Sequence, residues 1–466
     1  MSLRPRKDNA AGRVRTGLLL LFLLAAGLRV GWVLVRWGPE GRAEHLDYPD
    51  EEAYVLSARS LAAGEGLIDE FGYRATYMPG YPAFLAIFQG LPRPLLWARI
   101  AQALLAAWVA PATFLLARQF LAGRPGQPGD GALCHDSTRS ADGAQPVDGR
   151  PCTGTADAAV MPARESLLIP GLAGLGAAFD PFLVFFSGLL LTEALFAAVL
   201  VTAWIFMQKH PPKTGRGWFA EAICAGLFLW LAIMLRPSAA ILVVLTPVAL
   251  VVLRRFDRKA VVQAAVIPLV VIIGLLPWAA RNRAVIGRWH WLSTRGGISL
   301  YDGLQPGATG GSDLAHTKEA PDVQGLGEVQ WNEYFQERAL AEARRDPMRV
   351  LRLAWRKFLR TWSPIPNVEE YSSGFIALVS AAWMLPALGF AAIGWWRCRR
   401  PAADWLLLLL PVIAFTLLHM IYVGSVRYRV PVMPFVVVLS AAGLGAVAML
   451  FVGRGRAPGG RASCTP

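Results

Sequence analysis

Long apolar runs constrain the fold of this chain more than any other feature of its sequence. About ten of them could cross the roughly 30 Å hydrocarbon core of a bilayer, which requires a helix of about 20 residues. They lie near residues 16–37, 94–121, 165–182, 187–208, 218–235, 237–254, 262–280, 374–396, 403–422 and 430–452. The composition agrees, because 55% of the residues are hydrophobic and only 17% are charged. The sequence therefore predicts an all-α polytopic membrane protein.

The positive charges indicate how the chain crosses the membrane. The formal net charge is +14, and most of the excess lies in short clusters between apolar runs, as in cytoplasmic loops. With a cytoplasmic N-terminus, the clusters that fall inside are Arg4, Arg6, Lys7, Arg13 and Arg15; Lys209, Lys213 and Arg216; Arg254, Arg255, Arg258 and Lys259; Arg397, Arg399 and Arg400; and Arg454, Arg456 and Arg461. Both termini are therefore predicted to be cytoplasmic. Nucleic acid is not an expected partner, since its binding proteins gather such charge on one soluble face.

This topology divides the chain into five segments. They are residues 1–121, with two membrane helices and a long outer loop at 38–93; residues 122–164; residues 165–280, with the central membrane helices; residues 281–373, an outer segment; and residues 374–466, with the last membrane helices and a basic tail. Residues 122–164 are rich in Gly, Pro, Asp and Ser, which predicts a disordered cytoplasmic loop. The five cysteines avoid the large outer loops, so no disulfide framework is predicted.

One stretch of the outer segment, from Asp346 to Trp362, has strong helical amphipathicity. Met348, Leu351, Trp355, Leu359 and Trp362 fall on one helical face, and basic residues occupy the rest. This pattern predicts an amphipathic helix lying on the membrane surface.

The first outer loop contains the clearest candidate chemistry, because Asp47, Asp50, Glu51 and Glu52 lie close together. The residues from Glu51 to Ala63 have helical spacing, so Asp50 is expected at the start of a short helix. One interpretation is that Asp50 caps this helix and satisfies its first N–H groups. The other is functional, since neighbouring carboxylates repel one another and shift their pKa values.

A series of short motifs extends along most of the chain. The first outer loop has Asp50-Glu51-x-x-Tyr54, Gly64-x-Gly66 and Pro79-Gly80-Tyr81-Pro82-x-Phe84-Leu85. Further along are Asp180-Pro181, Leu191-Thr192-Glu193, Leu235-Arg236-Pro237, Pro277-Trp278, Arg281-Asn282 and Arg427-Tyr428-Arg429. Together these motifs resemble the GT-C glycosyltransferases, in particular the dolichyl-phosphate-mannose protein mannosyltransferase and ArnT-like superfamily (glycosyltransferase family 39-like).

The resemblance implies a GT-C-like bundle that transfers a sugar from a polyprenyl-phosphate donor, with inversion, on the extracytoplasmic face. It implies that Asp50 is the general base that deprotonates the acceptor. The other implied site residues are the supporting acids Glu51, Glu193 and Asp180; the acceptor or sugar contacts Tyr54, Tyr77 and Tyr81; and the donor-phosphate ligands Arg236, Arg281, Arg427 and Arg429. Arginine suits the last role because its guanidinium matches phosphate oxygens and stays charged.

Several of these residues also have a structural interpretation. Any of the arginines could instead extend from a helix end toward lipid headgroups. Arg236 is the best candidate for a phosphate ligand, since Pro237 marks a helix start. Glu193 lies in an apolar run and either orients an arginine or forms a structural pair. Arg29 is expected to have an internal structural partner, and His419 to be a hydrogen-bonded core residue.

Two function classes remain open at this stage. The leading hypothesis is a hexosyl- or pentosyltransferase acting on a hydroxyl or amine of a lipid, glycan or protein acceptor; a polysaccharide polymerase or ligase would differ mainly in its acceptor. A transporter or flippase of lipid-linked glycans would explain the spans but gives no role to carboxylates outside the membrane. No cofactor is implied, although the clustered carboxylates could hold Mg²⁺ or Mn²⁺. The lack of Asn-x-Ser/Thr sequons fits a bacterial inner membrane.

Overall fold

The computed structural model describes residues 6–39, 41–121, 167–208, 217–314, 325–368, 372, 374–397 and 402–454. The predicted disordered loop at 122–164 lies outside these residues. The helices are α1 (Arg6–Trp37), α2 (Pro49–Ala62), α3 (Gly80–Ala86), α4 (Pro94–Ala107), α5 (Val109–Leu121), α6 (Leu168–Phe179), α7 (Pro181–Gly188), α8 (Glu193–Gln208), α9 (Gly217–Leu235), α10 (Ala240–Leu253), α11 (Arg258–Ile286), α12 (Gly296–Leu304), α13 (Glu328–Arg345), α14 (Pro347–Thr361), α15 (Gly374–Arg397), α16 (Ala402–Ile421), α17 (Val426–Arg429) and α18 (Met433–Arg454). No strand occurs among the described residues.

Length and apolar composition identify the membrane helices. Within the described ranges, seven stretches qualify: Ala11–Trp37, Pro94–Leu121, Gly217–Leu235, Arg258–Ile286, Gly374–Arg397, Ala403–Ile421 and Val426–Met449. The pair α6 and α7 qualifies together as an eighth, and Glu193–Met207 and Pro237–Leu253 are shorter apolar helices. These stretches coincide with the ten predicted runs. The chain is an integral membrane protein, and its predicted all-helical class is confirmed.

Two of the predicted runs are interrupted, and the interruptions shape the site. Helices α6 and α7 meet at an angle of 44°, where Pro181 cannot continue the hydrogen bonding of α6. Between α7 and α8 the backbone is not helical, and its polar groups need partners in an apolar surrounding. Gln102 donates to the Ser187 carbonyl oxygen at 3.0 Å and to that of Leu189. These bonds hold Glu193 at the first position of α8.

The described residues of 41–93, 287–314 and 325–368 form what we call the loop layer, at one end of the bundle. Glu328, the first residue of α13, connects its parts. Its carboxylate accepts hydrogen bonds from the backbone N–H groups of Arg74, at 2.8 Å, and Ala75, at 2.7 Å, and from the Thr294 hydroxyl. Thr294 N–H also donates to the Ala75 carbonyl at 3.0 Å. The first outer loop is thereby fixed to the segment that follows α11.

The predicted amphipathic helix is α14, with Asp346 accepting from the Arg349 N–H at its start. Met348, Leu351, Trp355 and Leu359 are all more than half exposed, so they form an apolar stripe on the protein surface. Trp362 differs from the prediction, because its indole N–H donates to the Thr416 hydroxyl on α16. The location of this helix on a membrane surface stays a prediction.

Candidate active site

Asp50 lies in the first turn of α2, but it does not cap the helix. Tyr48 is the N-cap residue, Pro49 is the first helical residue, and the Glu51 carboxylate reaches back to accept from the N–H groups of Asp47, at 2.7 Å, and Tyr48, at 3.1 Å. This is the reciprocal half of a capping box. The capping interpretation of Asp50 is therefore wrong, and its side chain, 42% exposed, is accessible to a substrate.

An alternating chain of carboxylates and guanidinium groups begins at Asp50. Arg427 Nη1 donates to Asp50 Oδ2 at 2.5 Å, and Arg427 Nε donates to Glu193 Oε1. The same Glu193 oxygen accepts from Arg236 Nη1 at 2.9 Å. Glu193 is fully buried, whereas Arg427 and Arg236 keep 19% and 13% of their side chains exposed. Glu193 is thus paired with both arginines, and its predicted role in the reaction stays a prediction.

A third arginine, Arg295, approaches Asp50 from the loop layer. It precedes α12, stacks over the Tyr77 ring at 5.1 Å and donates to the Tyr77 hydroxyl. Arg295 interacts electrostatically with Asp50 and, more weakly, with the exposed Glu70. The sequence did not predict this residue, since no motif or charge pattern singles it out from the other basic residues of its segment.

The electrostatic surroundings decide the ionisation of Asp50. Burial opposes the charged form, but Arg427, Arg295 and Arg236 together outweigh it and hold the pKa of the Asp50 carboxyl below its ordinary value. Asp50 is therefore ionised at neutral pH in the free protein. A carboxylate in this state can accept a proton.

The three predicted tyrosines form one cluster. The Tyr54 ring lies 5.1 Å from that of Tyr77 and 5.0 Å from that of Tyr81. Tyr54, one helical turn after Asp50, is electrostatically coupled to it, and Tyr77 carries Arg295. Tyr81 is fully buried and donates to Gln102 Oε1 at 2.7 Å. Tyr54 and Tyr77 lie near Asp50, whereas Tyr81 packs against Tyr54 from the buried side.

Buried polar atoms without a protein partner occur next to the arginines. They are Thr192 Oγ1, the second carboxylate oxygen of Glu193, Oε2, and Ser238 Oγ, two residues after Arg236. Buried polar groups are normally hydrogen-bonded. These three atoms are exceptions to that rule beside the arginines.

Comparison with solved structures identifies the architecture. The archaeal oligosaccharyltransferase AglB from Archaeoglobus fulgidus, solved with an inhibitory peptide and a dolichol-phosphate, aligns with 97% of this chain at 13% identity and a TM-score of 0.51. An apo oligosaccharyltransferase of the same organism aligns with 97% at 15% identity and a TM-score of 0.55. The chain has the GT-C fold.

The GT-C likeness does not extend over the whole length of these neighbours, since the chain spans 52% of the first and 53% of the second. Apo ArnT from Cupriavidus metallidurans aligns with 94% of this chain and 62% of its own length, at 16% identity and a TM-score of 0.48. No protein-family model and no curated protein matches the sequence.

A second buried charge cluster of the GT-C bundle lies apart from the chain of carboxylates and arginines at Asp50. Asp180, fully buried, accepts from the N–H groups of Phe182, at 2.9 Å, and Leu183, at 3.1 Å, and from the Trp383 indole.

Arg29 donates to the carbonyl oxygens of Ala177, at 3.0 Å, and Ala178. Arg429, also buried, donates to those of Thr361, at 3.0 Å, and Ser363. These contacts tie Asp180 and Arg429 to the framework of the fold, and their predicted roles in the reaction stay predictions. The expected internal partners of Arg29 are present.

Three other predicted residues make structural contacts. Arg281 donates to the Arg74 carbonyl at 2.6 Å and stacks on Trp278. The second Glu51 oxygen accepts from the Leu190 N–H at 2.6 Å, at the break before α8. His419 is buried and stacks on Tyr428 with ring centroids 4.0 Å apart. Arg281 and Glu51 thus connect the loop layer to the bundle, and their predicted roles in the reaction stay predictions.

Metal binding was left open by the sequence. Within the part of the chain that the structure describes, no three or more His, Cys, Asp or Glu side chains gather closely enough to hold an ion.

Proposed function

We propose that this protein is a membrane glycosyltransferase that moves a hexosyl or pentosyl group from a polyprenyl-phosphate carrier to an acceptor. The single observation that carries the proposal is the meeting of Asp50 with Arg427, Arg236 and Arg295 at the loop end of a GT-C bundle. An accessible carboxylate beside several guanidinium groups suits a reaction in which an acceptor loses a proton while a phosphate leaves.

In this reaction the acceptor oxygen or nitrogen attacks the anomeric carbon and forms the new glycosidic bond. The bond from that carbon to the phosphate oxygen breaks, and its electron pair leaves with the polyprenyl phosphate. Asp50 takes the proton of the acceptor. A single displacement from the opposite face inverts the anomeric configuration.

The arginines serve both the leaving group and the base. Charge develops on the phosphate as it departs, and guanidinium groups already in place stabilise it without reorganisation. A phosphate bound beside Asp50 would also compete for Arg427 and place a negative charge near the carboxylate. Both effects raise the pKa of Asp50. Donor binding would therefore make Asp50 a stronger base when the reaction needs one.

The likeness to a solved structure supports the donor class, and the charge distribution supports the site's location. AglB, with the same fold, was solved with a dolichol-phosphate. By the positive-inside rule, the loop layer would face the extracytoplasmic side of a bacterial inner membrane. The acceptor would be a lipid, glycan or protein that reaches this face.

A reconstituted assay tests the proposal. The purified protein is placed in proteoliposomes with labelled polyprenyl-phosphate hexoses and pentoses, and sugar leaving the carrier is measured. We expect release by the wild-type protein and a loss of about 10²- to 10⁴-fold in Asp50→Asn, the range for a general base. Glu52→Gln, which changes an exposed neighbour in the same helical turn, should retain activity. Movement of the intact carrier across the bilayer without sugar release would support a flippase instead.

A further inference from the structure

A short connection, residues 422–425, joins α16 to α17 and leads directly to Arg427. It is held at its first peptide bond by Lys357, on α14, which donates from Nζ to the Ile421 carbonyl oxygen at 2.6 Å. A hydrogen bond from an ionised donor is roughly twice as strong as one between neutral groups. The loop layer, to which α14 belongs, therefore helps to determine where α17 begins.

Two glycines allow the surrounding elements to approach this connection closely. A methyl group added to Gly424 would lie 2.6 Å from the Cα atom of Lys357. One added to Gly303, on α12, would lie 2.9 Å from Lys357 Nζ and would overlap the Tyr422 carbonyl oxygen. Gly424 N–H also donates to the Gly310 carbonyl oxygen at 2.9 Å. Helices α12 and α14 and the connection thus meet at one junction, which includes the Lys357 ammonium group.

The junction links the two elements that bring arginines from opposite parts of the chain to Asp50. Arg295 directly precedes α12, and Arg427 lies in α17, three residues after Gly424. Arg427 donates to Asp50, and Arg295 interacts with it electrostatically. The spacing of the two guanidinium groups decides whether both can reach the oxygens of one phosphate. A shift at the junction would change that spacing.

Lys357 supplies more than packing at this junction. Its side chain is fully buried, and a buried ammonium group costs free energy unless it is paired and hydrogen-bonded. Burial outweighs the nearby Asp302 carboxylate and, together with Arg349, lowers the pKa of Lys357 to about 8. An apolar side chain of similar volume would fill the same space at a lower desolvation cost. The contribution specific to the lysine is its directional hydrogen bond to the connection.

We infer that Lys357 is a positioning residue for the proposed transfer reaction, because its hydrogen bond to the connection holds Arg427 where it can contact both Asp50 and the donor phosphate. The inference rests on the proposed function and adds a residue that acts only through another side chain. Loss of this hydrogen bond should therefore weaken donor binding although Arg427 itself is still present.

The variant Lys357→Met tests the inference, because it keeps an unbranched side chain of similar length and removes the donor group. Sugar release is measured in proteoliposomes that contain a labelled polyprenyl-phosphate sugar. We expect kcat/KM for the donor to fall roughly tenfold, mainly through KM, since a binding group displaced by 1 Å can cost up to about 10²-fold. Arg356→Met changes an exposed neighbour on the same helix and should retain wild-type kinetics.

A double-mutant cycle with Arg427→Gln distinguishes positioning from a general loss of stability. If Lys357 acts through Arg427, Lys357→Met should lower kcat/KM in the wild-type background and have little further effect in Arg427→Gln. Equal losses in the two backgrounds, or a wild-type donor KM in Lys357→Met, would overturn the inference.

Gly424→Ala disturbs the same junction from the side of the connection, and it decides the question if Lys357→Met does not fold. The added methyl group has to move the connection away from α14, so the donor KM should rise. Gly389→Ala makes the same change on α15, where no atom lies within 4 Å of the new methyl group, and should leave KM unchanged. An unchanged donor KM in Gly424→Ala would contradict the inference.

The same measurements separate this inference from the proposed function. Sugar release by the wild-type protein, with an unchanged donor KM in Lys357→Met and Gly424→Ala, would refute the role of Lys357 and leave the enzymatic function intact. A folded wild-type protein that releases no sugar would refute the proposed function, and the inference with it, whatever the variants do.

Discussion

At the scale of single residues, Asp50 has to meet two opposed requirements. It must be ionised before the reaction, and it must be basic enough to take a proton during it. In the free protein the first requirement is met, because Arg427, Arg295 and Arg236 outweigh the effect of burial on the pKa. The second would be met when a donor phosphate engages the same arginines.

The pH dependence of transfer follows from this arrangement. The acidic limb of kcat/KM reports groups of the free enzyme, whereas that of kcat reports the enzyme–substrate complex. We expect kcat/KM to show no decrease due to protonation of Asp50 above roughly pH 3.9, the ordinary carboxyl pKa. The corresponding decrease in kcat should occur at a higher pH. Initial rates measured from neutrality to about pH 4.5 check this expectation.

The variant Arg427→Gln provides the matched comparison. Burial would then be opposed by less positive charge, so the pKa of Asp50 rises and the acidic limb of kcat/KM moves to higher pH than in the wild-type protein. The lowered pKa of Asp50 also contributes to the stability of the folded protein. This contribution is fully present above the unfolded-state pKa of roughly 3.9 and is lost as the pH falls through the folded-state pKa. If the acidic limb of kcat/KM does not move in Arg427→Gln, Arg427 does not lower the pKa of Asp50.

The sequence indicated part of this site and could not indicate the rest. Asp50 stood out because acidic residues cluster in its loop, and Arg427 because it belongs to the Arg427-Tyr428-Arg429 motif on which the family resemblance partly rests. Their ion pair joins positions 377 residues apart, so local patterns could not reveal it. Arg295 was missed for the same reason, since only the folding of the loop layer brings it to Asp50. Asp180 and Arg429 matched family motifs, yet their contacts lie within the framework of the fold.

At the scale of structural elements, Glu328 determines where Arg295 stands. Its carboxylate accepts from the N–H groups of Arg74 and Ala75 and from the hydroxyl of Thr294, the residue before Arg295. Tyr77, the Arg295 partner, follows Ala75 by two residues. The buried Glu328 carboxylate therefore fixes the backbone beside both Arg295 and Tyr77.

Removal of this carboxylate should loosen the loop layer. In Glu328→Ala the Arg74 and Ala75 amides lose their acceptor, and an unmade buried hydrogen bond costs about 1–3 kcal/mol. We expect these amides to exchange with deuterium at least roughly tenfold faster, and donor KM to rise because Arg295 is no longer held. Hydrogen-exchange mass spectrometry and transfer kinetics measure the two effects.

The control lies on the same helix. Glu333 is 49% exposed and pairs with the exposed Arg288, so Glu333→Ala should change neither exchange at residues 74–75 nor donor KM. Unchanged exchange in Glu328→Ala would mean that other contacts hold the first outer loop.

The elements themselves were predictable to different degrees. Helices α2 and α14 were predicted because helical spacing and amphipathicity are local properties of the sequence. The breaks before α7 and α8 were not, because both lie inside apolar runs where hydropathy gives one uninterrupted signal. The break before α7 follows from Pro181. The break before α8 is stabilised by side chains distant in sequence, Glu51 and Gln102, which bond its backbone groups.

At the scale of the whole molecule, the arrangement requires that the loop layer face away from the cytoplasm. In a background with the five cysteines replaced by serine, single cysteines would be placed at the exposed Glu70, in the loop layer, and the exposed Asp257, between α10 and α11. We expect a membrane-impermeant maleimide to label the first in intact cells and the second only after lysis. The opposite labelling pattern would show that the loop layer faces the cytoplasm, which contradicts the proposed extracytoplasmic site of transfer.

The central claim is that a donor phosphate binds where Asp50 meets its arginines. Cryo-electron microscopy of the protein in nanodiscs with undecaprenyl phosphate tests it most directly. The account predicts density for the phosphate within about 3 Å of Arg236, Arg427 or Arg295, the distance of a charge-assisted hydrogen bond, with Asp50 beside it. A phosphate bound only at Arg281 or Arg429, or at the bilayer surface without contact to any of the three arginines, would contradict it.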